Sequence, residues 1–127
     1  MIKAVLFDFD GTLLDTAPDL VAGLNHLRNS RDLPALPLDH LRHFVSRGAV
    51  GMIKAGMPPC DDETLERWHQ SFLEYYQQNL CVQTVPFDGV EQVLSWLMER
   101  GIPWGVVTNR RESLCLPILD KLGWLPA

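Results

Sequence analysis

The sequence predicts an α/β fold, a partial parallel-sheet core with an inserted helical cap, on three observations. An apolar run, Ala4 to Phe7, ends abruptly in Asp8 and Asp10, followed by Gly11. A second run, Trp104-Gly105-Val106-Val107-Thr108, reads as another strand near the far end. Between them the apolar residues recur at helical spacing. Strands apolar at every position suit a parallel sheet covered on both faces. The stretch from Thr16 to Val85 is too long to be a plain loop, so it reads as a small helical bundle set over the sheet edge.

Taken in order, the first strand is followed by a helix with Leu20, Leu24 and Leu27 at i, i+4 and i+7. Asp15 or Thr16 can cap it, Pro18 is tolerated in its first turn, and it fades near Arg31-Asp32, before Pro34 and Pro37. A second short helix fits Leu38, Leu41 and Val45, then a loop, Val45-Ser46-Arg47-Gly48-Ala49. A third fits Val50, Ile53 and Met57 and stops at Pro58-Pro59. Asp61, Asp62 and Glu63 place negative charge at the start of a fourth, which carries Leu65, Trp68, Phe72 and Tyr76 on one face. Val85-Pro86-Phe87 is a connector. Asp88 and Glu91 form a capping-box pattern ahead of a helix with Val90, Val93, Leu94 and Leu97, closed by Gly101. Pro103 opens the second strand. Ser113 can cap a last helix with Leu114, Ile118 and Leu122, whose first turn Pro117 loosens and which Gly123 closes. The expected division is residues 1–15 and 86–127 as core and 16–85 as cap.

The 127 residues suffice for one small domain, or one domain with an insertion. A formal net charge of -5 argues against a nucleic-acid binder but leaves room for a small anionic substrate, because local charge dominates at a site. Cys60, Cys81 and Cys115 are odd in number and in no metal-ligand pattern, which reads as reduced thiols of a cytoplasmic protein. Neither a membrane span nor a secretory leader is evident, so no membrane partner is expected. Trp96, Trp104 and Trp124 are read as packing between helices and sheet, and the four His as helix-face or surface residues.

The first strand tip carries the chemistry. In open α/β sheets ligands bind at that carboxyl edge. Two acids one residue apart repel each other, so something positive belongs there, such as a divalent cation. The bland reading is an Asp-Gly turn leading to a helix cap.

Asp8-Phe9-Asp10-Gly11-Thr12-Leu13 resembles the first motif of the haloacid dehalogenase superfamily of phosphotransferases, and Phe7 to Pro18 resembles its phosphoglycolate-phosphatase-like branch. The resemblance implies a partial Rossmann-like core. It makes Asp8 the nucleophile that forms an aspartyl-phosphate and Asp10 the acid/base. It also implies Mg2+ held by the Asp8 side chain, the Asp10 backbone carbonyl and a later acid. Val106-Val107-Thr108-Asn109 resembles the second motif, with Thr108, and secondarily Asn109, on the phosphate. Val45 to Ala49 resembles a cap loop that selects the substrate, with Arg47 and Gly48 in it; a solvated Arg47 is the alternative. Arg110 and Arg111 stand where many relatives have Lys-Pro and are read mainly as exposed. Asp15 to Asp19, the Ser46 to Ala49 loop and Trp104 to Asn109 also resemble N-acetylmuramic acid 6-phosphate phosphatases. The family's later lysine and acidic motif have no counterpart before Ala127, and neither Lys121 nor Asp120 is assigned those roles. The expectation is therefore an N-terminal piece of a longer phosphatase, incomplete alone, whose narrow sheet a second copy could extend.

Overall fold

The computed structural model describes residues 2–108, 110 and 112–124. Strand β1 (Val5–Asp8) pairs in parallel with β4 (Trp104–Val107), in the register Val5↔Trp104 to Asp8↔Val107. Two short strands that sequence patterning missed, β2 (Leu14–Asp15) and β3 (Val85–Pro86), form an antiparallel ladder where the chain enters and leaves the helical stretch. At two residues each, they leave no periodicity to read.

Among the described residues there are six α-helices: α1 (Ala17–Asn29), α2 (Leu38–Leu41), α3 (Gly48–Gly56), α4 (Asp62–Gln78), α5 (Val90–Glu99) and α6 (Glu112–Lys121). A 3-10 helix, Arg42–Arg47, joins α2 to α3. The expected loop at Val45 to Ala49 is therefore helical on both sides, with the break at Gly48, whose φ of 77° suits a residue without Cβ. Helices α1, α3 and α4 pack on one another through Leu20, Leu24, Leu27, Met52, Ile53, Trp68, Phe72 and Tyr76, all buried. One continuous apolar cluster runs from these to Phe9, Leu94, Leu114 and Ile118. Asn25 closes the Pro-rich turn after α1 by bonding both backbone groups of Leu36, at 3.0 and 2.8 Å.

Several end signals resolve differently from expectation. Thr16 stands at the N-cap of α1 without capping it, because its hydroxyl is drawn to Asp10. Asp15 lies in β2 and pairs with Arg42 at 2.8 Å. Asp61 does cap α4, accepting the Thr64 N–H at 2.8 Å. The Asp88 capping box does not form: Gly89, left-handed at φ 87°, takes the N-cap of α5. Ser113 lies inside α6, and Pro117 is accommodated within it.

Among the described residues the sheet is covered on one face only. Leu6 is 70% and Val107 57% exposed, whereas Phe9 at the strand exit is fully buried. The apolar run of β1 therefore does not mean burial on both sides in this chain, since helices pack against one face alone. Trp104 does pack, edge-on to Phe7 and Trp124. Trp96 and Val93 instead face solvent from α5, Trp96 beneath the Arg100 guanidinium at 3.9 Å. Among the described residues no helix is long and apolar enough to cross a membrane.

Candidate active site

The parallel register fixes the site. Asp8 ends β1 opposite Val107, so Thr108, the next residue, leaves the sheet beside the Asp8 tip. Beyond Asp8 the chain turns sharply: Gly11, at φ 79°, donates its N–H to Leu14 at 2.9 Å, and Leu14 donates to Phe9 at 3.2 Å. This turn brings Asp10 back towards the same edge. Asp8, Asp10 and Thr108 line one cleft of about 410 Å3, whose opposite wall is built by Arg47 and Gly48 with His69, Phe72 and Tyr76 of α4. A more open hollow of about 490 Å3 on the outer face of α5 contains none of these residues. Asn109 lies outside the described residues, as does Arg111.

The two carboxylates are held differently. Asp8 is exposed and accepts only the Phe9 N–H, on Oδ1 at 3.0 Å, among the described residues. Its second oxygen accepts no hydrogen bond among the described residues. Both oxygens of Asp10 are engaged. Thr16 donates to Oδ1 at 2.5 Å, Arg110 Nη2 to Oδ1 at 2.5 Å, and Arg110 Nε to Oδ2 at 3.2 Å. The Arg110 side chain is only 7% exposed. Its Nη1 also bonds the Tyr76 hydroxyl, and its backbone N–H bonds Thr108 Oγ1 at 3.1 Å.

Arg110 thus corrects the reading of a surface residue. Burial works against its charge, but Tyr76 and the Asp10 carboxylate outweigh burial and raise its pKa. Burial pushes the Tyr76 hydroxyl up to about 12, against the pull of Arg110. One feature of the sequence is consistent with an inward Arg110. Two acids at a strand tip call for a cation, and Arg110 leaves the neighbouring strand at the same level. Thr16 gave no such signal, because a threonine before a helix normally reads as its cap.

Arg47 is exposed at the rim, its guanidinium 4.8 Å from the centre of the Phe44 ring. His69, expected only as a helix-face residue, lines the cleft as well. Lys121 donates to the Leu80 carbonyl at 2.9 Å, tying α6 to the exit from α4 and away from the strand tips. Among the described residues no three His, Cys, Asp or Glu side chains cluster to hold a metal. The donors suit a cation that needs few protein ligands. Mg2+ commonly takes one or two carboxylates and fills its remaining positions with water and substrate phosphate.

Residues 5–125 match the family model of haloacid dehalogenase-like hydrolases. The chain is 43% identical over 122 residues to a phosphoglycolate phosphatase of Xanthomonas campestris, covering 96% of this chain and 55% of that protein. It is 40% identical over 124 residues to an N-acetylmuramic acid 6-phosphate phosphatase of Pseudomonas aeruginosa, covering 97% and 55%. The chain therefore spans about half the length of the curated relatives it matches. The crystal structure of a predicted phosphoglycolate phosphatase from Haemophilus somnus superimposes with a TM-score of 0.85 at 25% identity, over 97% of this chain and 58% of that one. A haloacid dehalogenase-like family protein of Streptococcus pneumoniae, 17% identical, shares the fold with a TM-score of 0.82 over 97% of this chain and 57% of that one. Sequence and fold agree, and the chain belongs to the haloacid dehalogenase-like hydrolases.

Proposed function

We propose that this chain carries the nucleophile-bearing part of a Mg2+-dependent phosphomonoesterase acting on a small phosphorylated metabolite of the phosphoglycolate kind. One observation carries the reading: Asp8, Asp10 and Thr108 converge at one sheet edge, facing Arg47 and Gly48 across the cleft. The relatives named as phosphatases support it.

An Asp8 oxygen attacks phosphorus, the bond from phosphorus to the leaving oxygen breaks, and Asp10, protonated for this step on an oxygen that has given up its bond from Arg110, supplies the leaving oxygen with that proton. Water then attacks the aspartyl-phosphate, gives its proton to Asp10, and phosphate departs as the acyl-phosphate P–O bond breaks. Thr108 Oγ1 accepts from the Arg110 N–H, so its own proton is left to donate to a phosphoryl oxygen. Arg47 at the rim meets a carboxylate or hydroxyl of the substrate. The Asp8 carboxylate and the Asp10 backbone carbonyl would hold Mg2+, which when bound offsets phosphoryl charge in the transition state.

The substrate is a small metabolite of the cytoplasm rather than a nucleic acid or a membrane. A second reading has a specific observation behind it. The described residues supply no third acid and commit Lys121 to Leu80, which favours a catalytically incomplete piece that folds, binds or pairs with a second copy along the open sheet. The N-acetylmuramic acid 6-phosphate relative keeps a sugar phosphate as the alternative substrate.

Phosphate release by the 127-residue protein, from phosphoglycolate and from N-acetylmuramic acid 6-phosphate, separates these readings. Hydrolysis that stops in chelator and in a folded Asp8→Asn variant supports the first reading. A folded parent chain that releases no phosphate from either compound leaves the incomplete piece as the answer.

A further inference from the structure

Arg110 stands between two parts of the molecule that meet at the cleft. One edge of its guanidinium grips both oxygens of Asp10, beyond β1. The other edge, through Nη1, reaches the Tyr76 hydroxyl near the end of α4 and the Leu114 carbonyl at 3.4 Å. Its centre lies 5.3 Å from the Phe9 ring and 5.0 Å from the Tyr76 ring. The root of the side chain is pinned by the bond from its own N–H to Thr108. A planar fork fixed at its root and both edges has little freedom, so what moves one edge moves the other.

We propose that Arg110 is a positioning residue for Asp10, a rigid tie that makes the orientation of this carboxylate follow the position of α4. This rests on the reading of Asp10 as the acid/base. While Tyr76 is seated on Arg110 the direction of the Asp10 carboxylate is fixed, so withdrawal of α4 slackens it. Thr16, at the entry to α1, braces Oδ1 from the other side. A lysine here would preserve the charge but lose the fork, because a single ammonium cannot span two carboxylate oxygens and a phenol in fixed directions.

The test uses the 127-residue protein with 13C-labelled Asp side chains. Tyr76→Phe removes the hydroxyl arm and keeps the ring. It is expected to shift the Asp10 carboxyl resonance in the parent, and to shift it several-fold less when Arg110→Lys is also present. No shift in the parent, or an equal shift in both backgrounds, overturns the tie. With p-nitrophenyl phosphate and Mg2+, Arg110→Lys should lower kcat about tenfold or more with KM within about twofold, as loss of positioning does. A raised KM at unchanged kcat would make Arg110 a substrate ligand and overturn the proposal. A parent chain that hydrolyses nothing leaves the incomplete piece as the answer, and the resonance then judges the tie alone.

Discussion

The carboxylate of Asp19, in the first turn of α1, accepts the Thr84 hydroxyl at 2.6 Å and the Thr84 N–H at 2.9 Å, with both residues buried. The Gln83 N–H adds bonds of 2.9 and 3.1 Å to its two oxygens. This single carboxylate joins the chain entering the helical stretch to the chain leaving it, just above the β2–β3 ladder. Asp19→Ala strips the partners from two backbone donors and a buried hydroxyl. A loss of about 3 kcal/mol in urea unfolding is expected, with Asp19→Asn costing less because one oxygen remains.

Gly51 shapes the rim of the cleft. A Cβ placed there would overlap the Cβ of Arg47, one turn earlier. That atom is fixed to the backbone and cannot swing aside, so Gly51→Ala must shift the main chain that presents Arg47. The substitution should cost about 1–3 kcal/mol by thermal unfolding and raise KM for the preferred substrate more than it lowers kcat.

Tyr76 predicts an alkaline limit. Its hydroxyl, ordinarily near 10.0, is pushed up to about 12 in the fold, chiefly by burial. The folded state holds this proton more tightly than the unfolded chain does. The stability it contributes is therefore complete below pH 10 and is lost as pH rises through about 12, a difference on the order of 2–3 kcal/mol. Urea midpoints measured from about pH 9 to about pH 12 should fall less steeply in Tyr76→Phe than in the parent. Equal slopes would show that the hydroxyl does not report on folding.

The sequence by itself determined the parts of this protein that depend on near neighbours. Ala4 to Phe7 and Trp104 to Val107 read as strands, and the leucine and aromatic spacings of α1 and α4 read as helices, because period and chain direction are set within a few residues. The Asp8-x-Asp10-Gly11 turn and its place at a sheet edge were legible for the same reason. Tertiary structure alone decided which partners those residues take. Thr16 leaves its helix end for Asp10, Gly89 replaces Asp88 as a cap, and Arg110 turns inward to a carboxylate 100 residues away. Buried charges and hydroxyls must find partners wherever packing brings them, and that choice is made by the contacts of α4 and the two strand ends, which no local pattern encodes. The two acids of the opening motif thus differ through distant contacts: Asp8 is left open to the cleft, and Asp10 is clasped between Thr16 and Arg110.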